Sequence, residues 1–248
     1  MQSNFYFTGN FSNIHEKPSK KSEVTSQIIY GEKFKILSKN KNWIKIKTLF
    51  DNYKGFIKNS KYEEKFSPNY KVSSLKAKIF KRPGILTNSW LPLASKLTVL
   101  DQKKNYVQIE KSKWIKKIDI KKLNHKDKNF IKMFKKFLNV KYVWGGKTFK
   151  GIDCSALLQI FFSYNNTFYP RDTKDQIKYT KKNSKKRKFQ KGDIIFWKGH
   201  VAMCLNSKQL IHAYGPEKKV VIMPIIETIN RIERIAKLKV KKISRIKY

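Results

Sequence analysis

Cysteine is almost absent from this 248-residue chain, occurring only as Cys154 and Cys204. Two thiols cannot staple a loop-rich scaffold, so a disulfide framework is excluded and a reducing compartment fits. No stretch approaches the roughly 18 consecutive apolar residues of a transmembrane helix. The first residues, MQSNFYFTGNFSNIHEKPSKK, lack the basic segment, apolar run and small-residue cleavage site of a secretory signal, so the expected location is the cytoplasm. Acidic side chains are scarce as well, 17 Asp and Glu against 57 Lys and Arg, a net charge of +40. Charge of this size points to a polyanion when it is clustered. Here the basic residues run from Lys17 to Lys247 through every segment, in company with Ile, Asn, Phe and Tyr, a mixture that A+T-rich codons produce by drift. A recognition helix, an RNP-type aromatic pair and zinc-finger spacing are all missing, so no specific nucleic-acid partner is expected. The charge would still draw in small anionic substrates.

What is present is a chain with 40% hydrophobic residues, enough for one large globular domain or two to three small ones. Residues 14–62 show short alternating runs, SQIIYGEKFKILSK, NWIKIKTLF and NYKGFIKNS, separated by Asn, Gly and Lys turns, the pattern of a small β-barrel. Residues 69–120 repeat that rhythm, with Tyr106-Val107-Gln108-Ile109 standing where Trp43-Ile44-Lys45-Ile46 stood and KWIKK following as GFI did. Residues 14–62 resemble bacterial SH3 domains, and residues 69–120 resemble a diverged copy of the same unit. From residue 123 to 248 the character changes. Phe130, Met133, Phe134, Phe137 and Leu138 fall at helical spacing, then the loop KYVWGGKTFKGID leads into a helix opened by Cys154 and carrying Ala156, Leu157, Ile160 and Phe161. A basic stretch, KKNSKKRK, is followed by four extended runs, DIIFW, HVAMCL, QLIHAY and KVVIMPI. Helices followed by an antiparallel sheet give an α+β arrangement.

A cysteine in the first turn of a helix is expected to have its pKa lowered by the free amide N–H groups and the helix dipole, leaving a nucleophilic thiolate. The competing reading is a buried structural cysteine. Against it stand the polar neighbours Asp153 and Ser155, the glycine-bearing loop before them, and two of the chain's four histidines in later strands. If HVAMCL and QLIHAY form a hairpin centred on Asn206 or Ser207, His200 and His212 share a face as opposite or diagonal neighbours, about 4.5–8 Å apart. His200 would then exchange a proton with Cys154 while His212 orients its ring. A zinc site is disfavoured because paired Cys-x-x-Cys spacing is lacking, and no metal or organic cofactor is expected.

YVWGG…GIDCSALLQIFF, YPRDTKDQ, KGDIIFW, HVAMCL and LIHAYG together resemble the successive motifs of the NlpC/P60 cysteine peptidases, which have a papain-like fold. With the SH3-like segments before it, the chain is similar to γ-D-glutamyl-diamino acid endopeptidases of the dipeptidyl-peptidase VI type, which cut peptidoglycan stem peptides. The resemblance implies Cys154 as nucleophile, His200 as base, His212 as third member and Tyr142 near the thiol as a holder of the oxyanion or substrate carbonyl. It further implies that Trp144 lines the cleft, and that Asp153 and Ser155 bind the free amino group of an L-Ala-γ-D-Glu end. The same resemblance implies that Asp172 and Thr173 make other substrate contacts, and that Glu16 and Tyr53 close the cleft from the first β segment. Other roles stay open for three of these: Asp153 as a helix cap, Tyr53 as a barrel core residue, Asp172 as a turn residue. Ala156 and Ala202 depart from the glycines usual in the family. The expected activity is hydrolysis of the γ-D-glutamyl-diamino acid bond in short murein peptides (L-Ala-γ-D-Glu-diamino acid), serving wall turnover or recycling, by a monomer or small oligomer. The alternatives are an amidase or acyltransferase of the same fold, or a catalytically idle wall-peptide binding protein.

Overall fold

The computed structural model describes residues 4–181 and 188–245. Residues 182–187 of the basic stretch therefore lie outside the described residues. Among the described residues, no helix is long and apolar enough to cross a membrane.

Seven strands form the first unit, in the order Val24–Ile29, Phe11–His15, Lys54–Lys58, Trp43–Thr48, Lys33–Lys39, Asn4–Phe7, Tyr62–Glu63. The sheet begins at Asn4, ten residues before the start expected from the sequence. A run as short as NFYF carries no readable alternation, yet it pairs with Phe34 and with Tyr62 and contributes Phe7 to the core. That core, with Ile14, Ile28, Phe34, Ile44, Ile46 and Ile57, is built from every second residue of its strands, as a sheet with one buried face requires.

A second unit has its own core of Val72, Ile79, Leu91, Leu97, Val107, Ile109 and Ile115. One of its sheets runs Ile85–Pro92, Lys76–Arg82, Lys113–Lys116, Tyr106–Glu110, Asp101–Lys103, and the other Lys96–Leu97, Tyr70–Val72, Ile120–Lys122. Tyr106–Glu110 buries Val107 and Ile109 in the same alternation with which Trp43–Thr48 buries Ile44 and Ile46. Both strands bury every second residue, as strands with one buried face do. Lys71, almost fully buried, ties this unit to the next by donating to the carbonyl oxygens of His125 and Tyr164.

The third unit is a five-stranded antiparallel sheet, ordered Lys219–Pro224, Gln209–Tyr214, His200–Cys204, Asp193–Trp197, Lys242–Arg245, covered on both faces. Ile194, Phe196, Val201, Met203, Ile211 and Ala213 face one core, which holds helix α1 (Phe130–Lys135) and helix α2 (Cys154–Tyr164). Ile195, Trp197, Ala202, Cys204, Leu210 and Tyr214 face the other, with helix α4 (Ile225–Ala236). Helix α3 (Thr173–Tyr179) lies between α2 and α4 in sequence. The helical spacing of Phe130 to Leu138 is realised as six α-helical residues followed by i to i+3 turns, the last from Val140 N–H to the Phe137 carbonyl around Asn139, whose φ is 63°. All eleven residues of α2 are buried, so this helix carries no solvent face and is held by its surroundings on every side.

Candidate active site

Helix α2 starts where it does because Asp153 caps it, its extended backbone leaving the carboxylate to accept the Ala156 N–H at 2.8 Å. The loop before it is clamped to the first unit. Gly145 has a φ of 72°, and a side-chain carbon there would collide with the carbonyl oxygen of Val24, so only glycine permits this approach. The Lys147 amide donates to Gln27 Oε1 at 2.8 Å, and its ammonium pairs with buried Glu32 at 2.6 Å. From α2 itself Gln159 reaches Asp51 Oδ2 at 2.8 Å. Polar bonds so deeply buried fix the two units as one wall and one floor.

Cys154 lies at the first position of α2 and is 3% exposed. Its sulfur is 4.0 Å from the Gly199 carbonyl oxygen and receives hydrogen bonds from the Val201 amide and the Thr173 hydroxyl. The expected lowering of its pKa is not what the structure produces. Burial, and next the neighbouring Asp153 carboxylate, push the thiol up to about 12, outweighing those two bonds and the nearby Arg171. The helix terminus that should have stabilised a thiolate is already serving the Asp153 carboxylate.

The hairpin register pairs Met203 with Ile211 and Cys204 with Leu210, which centres the turn on Ser207 and makes His200 and His212 diagonal neighbours. Their rings lie 5.1 Å apart, with His200 Nε2 2.9 Å from His212 Nδ1. Burial lowers the His200 pKa to about 4. His212, fully enclosed, is pushed well below the usual value by burial, then by His200 and Arg231. The Tyr214 ring stacks on it at 4.6 Å. Both neighbours of His200 in the chain flank the thiol, but His200 bonds to His212 and not to the sulfur.

Above the thiol opens a cavity of about 350 Å³. Trp144, Cys154, Ser155, Asp172 and Thr173 line it, and Glu16 and Tyr53 reach it from the first unit, the Tyr53 hydroxyl donating to the Thr25 carbonyl oxygen. Four of the chain's 17 acidic residues, Glu16, Glu23, Asp153 and Asp172, converge there in a molecule of net charge +40. Burial raises the Asp172 pKa. His200, His212 and Tyr142 are not among the lining residues. Tyr142 is near the thiol, its hydroxyl pKa raised by burial and by Cys154.

Asp153 lines the cavity and is already engaged within the protein, its oxygens accepting from Arg171 Nη1 and Nη2, Gly145 N, Ser155 Oγ and Ala156 N. Ser155 likewise accepts from Arg171 at 2.9 Å. Arg171 and Glu23 are among the cavity residues that sequence reading does not single out. Arg171 stands inside a quoted motif but is unmarked by spacing. Glu23 accepts from the Trp144 indole N–H across 121 positions, a contact no local pattern announces. Among the described residues, no group of three His, Cys, Asp or Glu side chains could hold a metal ion.

Residues 139–234 match the family model described as the NlpC/P60 family, and residues 10–63 the bacterial SH3 domain. Dipeptidyl-peptidase 6 of Lysinibacillus sphaericus is 33% identical over 85 residues, 34% of this chain and 31% of that protein. The γ-D-glutamyl-L-lysine dipeptidyl-peptidase of Bacillus cereus is 33% identical over 99 residues, 37% of this chain and 29% of that protein. The chain spans about a third of the length of these two relatives. In three dimensions an NlpC/P60 family protein from Bacillus cereus superposes with a TM-score of 0.80 at 18% identity, covering 98% of this chain and 99% of the other, a likeness of fold. The chain thus joins a bacterial SH3 domain to an NlpC/P60 domain, and the cavity opens between the two.

Proposed function

We propose that this chain is a cysteine peptidase that hydrolyses the γ-D-glutamyl-diamino acid bond of short stem peptides bearing a free N-terminal L-Ala. The observation that carries the reading is the cavity itself. It has a thiol at its floor, and the SH3 domain supplies a wall bearing Glu16, Glu23 and Tyr53. A wall on that side would favour a short peptide end over a continuing chain. Its acids would pair with a terminal ammonium, which an acylated or longer substrate lacks, so selectivity would come from buried charge left unpaired. The relatives named as dipeptidyl-peptidases agree with this class of substrate.

Mechanistically, Cys154 would pass its proton to His200 as its sulfur attacks the γ-carbonyl carbon. Resting thiol and imidazole are both neutral, so this is general-base activation in the reacting complex, where an unbonded apo geometry tightens. Tyr142, beside the thiol, would hold the carbonyl oxygen as it becomes an oxyanion. Collapse of the tetrahedral species expels the diamino acid amine, protonated by His200. Water activated by the same ring then cleaves the thioester and releases L-Ala-D-Glu. Wall turnover or recycling is the process such a product serves.

The test is to incubate the protein with L-Ala-γ-D-Glu-diaminopimelate, with its N-acetyl form, and with Cys154→Ala in parallel. Release of L-Ala-D-Glu from the free peptide alone, and none by the variant, is expected. Equal inactivity of wild type and variant, with binding retained, would replace the peptidase with a wall-peptide binding protein.

A further inference from the structure

Met223 is the residue that the proposed chemistry does not yet use. It lies on Lys219–Pro224, the strand beside His212, and its Sδ is 3.3 Å from His212 Nε2. A thioether sulfur carries no hydrogen and can only accept. This one fact decides where the protons of the two imidazoles sit.

Both rings are neutral at rest, since burial holds His200 near a pKa of about 4 and His212 well below the usual value. A neutral pair joined through His200 Nε2 and His212 Nδ1 has two proton arrangements. In one, His212 Nε2–H donates to Met223 Sδ, bare His212 Nδ1 accepts from His200 Nε2–H, and His200 Nδ1 is left with a lone pair. In the other, His212 Nδ1–H donates to His200 Nε2, a bare His212 Nε2 faces the sulfur lone pairs, and His200 Nδ1 carries the proton. Only the former leaves His200 able to take a proton at the nitrogen not bonded to His212.

Neither of the other groups against His212 can do this work. Tyr214 stacks flat on the ring at 13° and touches it through its π face, and Arg231 lies over the Tyr214 ring, paired with Glu217 at 2.7 Å. The Arg231 charge opposes an imidazolium at His212, which keeps the third member neutral and leaves the transferred proton on His200. We infer that Met223 is a positioning residue that fixes the tautomers of His212 and His200 and so makes His200 Nδ1 the base toward the Cys154 thiol. When the proton moves, the S–H bond breaks, an N–H bond forms at Nδ1, and the electron pair stays on sulfur. His200 Nε2–H keeps its bond to His212 throughout.

The inference rests on the peptidase reading for its catalytic consequence, but its first test needs no substrate. In uniformly ¹⁵N-histidine-labelled protein, the imidazole nitrogen shifts at neutral pH report tautomers directly. Protonated Nε2 on both His200 and His212, with both Nδ1 atoms bare, is expected. Protonated Nδ1 on either ring overturns the inference whatever the activity. Met223→Leu keeps the volume and removes the acceptor. It should mix the tautomers and lower kcat roughly five- to ten-fold at unchanged KM, one net hydrogen bond having set the balance. Met223→Gln restores an acceptor and should recover most of that loss. Wild-type tautomers and kcat in the Leu variant, or equal losses with Leu and Gln, would show that Met223 only fills space. A protein with the expected tautomers that cleaves no peptide would sink the peptidase reading and leave the tautomer assignment standing.

Discussion

Arg171 grips Asp153 with both prongs of its guanidinium, Nη1 to Oδ1 at 3.0 Å and Nη2 to Oδ2 at 2.6 Å, with both residues buried. Its Nε reaches Ser26 Oγ of the SH3 domain at 3.0 Å. One side chain thus cancels the cap of the helix that carries the thiol and fastens that helix to the opposite wall. Removing one partner of a buried pair leaves an uncompensated charge, worth about 3–5 kcal/mol. Arg171→Met should therefore lower stability by about that amount, and Arg171→Lys should rescue little because a point charge cannot reproduce the fork. Denaturant unfolding measures it, and a loss in Arg171→Met below about 1 kcal/mol would show that the pair is not fully formed.

Stability should also fall on acidification, for a reason lodged in the histidine pair. His200 has a folded pKa of about 4, below the ordinary 6.5. The unfolded chain takes up its proton first as pH drops, so the folded state loses ground between about 6.5 and 4. The full shift corresponds to roughly 3 kcal/mol, and less is expected because His200 is only partly buried. Unfolding curves from pH 7 to 4 should show the slope, flattened in His200→Gln. An unchanged slope in that variant would place the titrating group elsewhere.

The helix opened by Cys154 and the hairpin carrying His200 and His212 were legible because each is specified locally, by a capping residue and by a turn centred on Ser207. The state of the thiol was not. A helix N-terminus argues for a low pKa, but burial of Cys154 and the carboxylate of Asp153 depend on how Arg171, Thr173 and Val201 pack round it. The same holds for the acids of the cavity. The capping reading left open for Asp153 is the one its bonds fulfil, whereas Glu23 meets Trp144 only because two domains close on each other. Periodicity shows which face of an element is buried and not which distant residue lies against it.

Glu23 provides the sharpest test of the cavity's acid wall. Its carboxylate accepts from the Trp144 indole and lines the cavity, and among the described residues no ion pair joins it as Arg171 joins Asp153. Glu23→Gln keeps an acceptor for the indole and removes only the charge. For a peptide with a free amino terminus KM should rise roughly ten-fold with kcat little changed, the loss expected of one charged hydrogen bond. The N-acetyl peptide should be indifferent to the change. An equal rise for both peptides would mean that Glu23 shapes the wall through Trp144 and takes no part in reading the ammonium.

The thiol's surroundings set the pH profile. With Cys154 pushed up to about 12 and His200 down to about 4, protein at neutral pH holds S–H and bare imidazole rather than thiolate and imidazolium. Protonation of His200 removes the base, so kcat/KM should fall on the acid side with an apparent pKa near 4. No alkaline limb from the thiol should appear below about pH 9, because the thiol in the free protein does not ionise there. Iodoacetamide, which captures thiolate without a general base, should alkylate Cys154 slowly at about pH 7 even in protein that turns over peptide rapidly. The two rates are thereby separated: one needs a standing thiolate, the other makes it at the moment of attack. Rapid alkylation at about pH 7, together with an acid limb near the ordinary imidazole value of about 6.5, would instead point to a preformed ion pair and would require His200 to bond the sulfur in the resting protein.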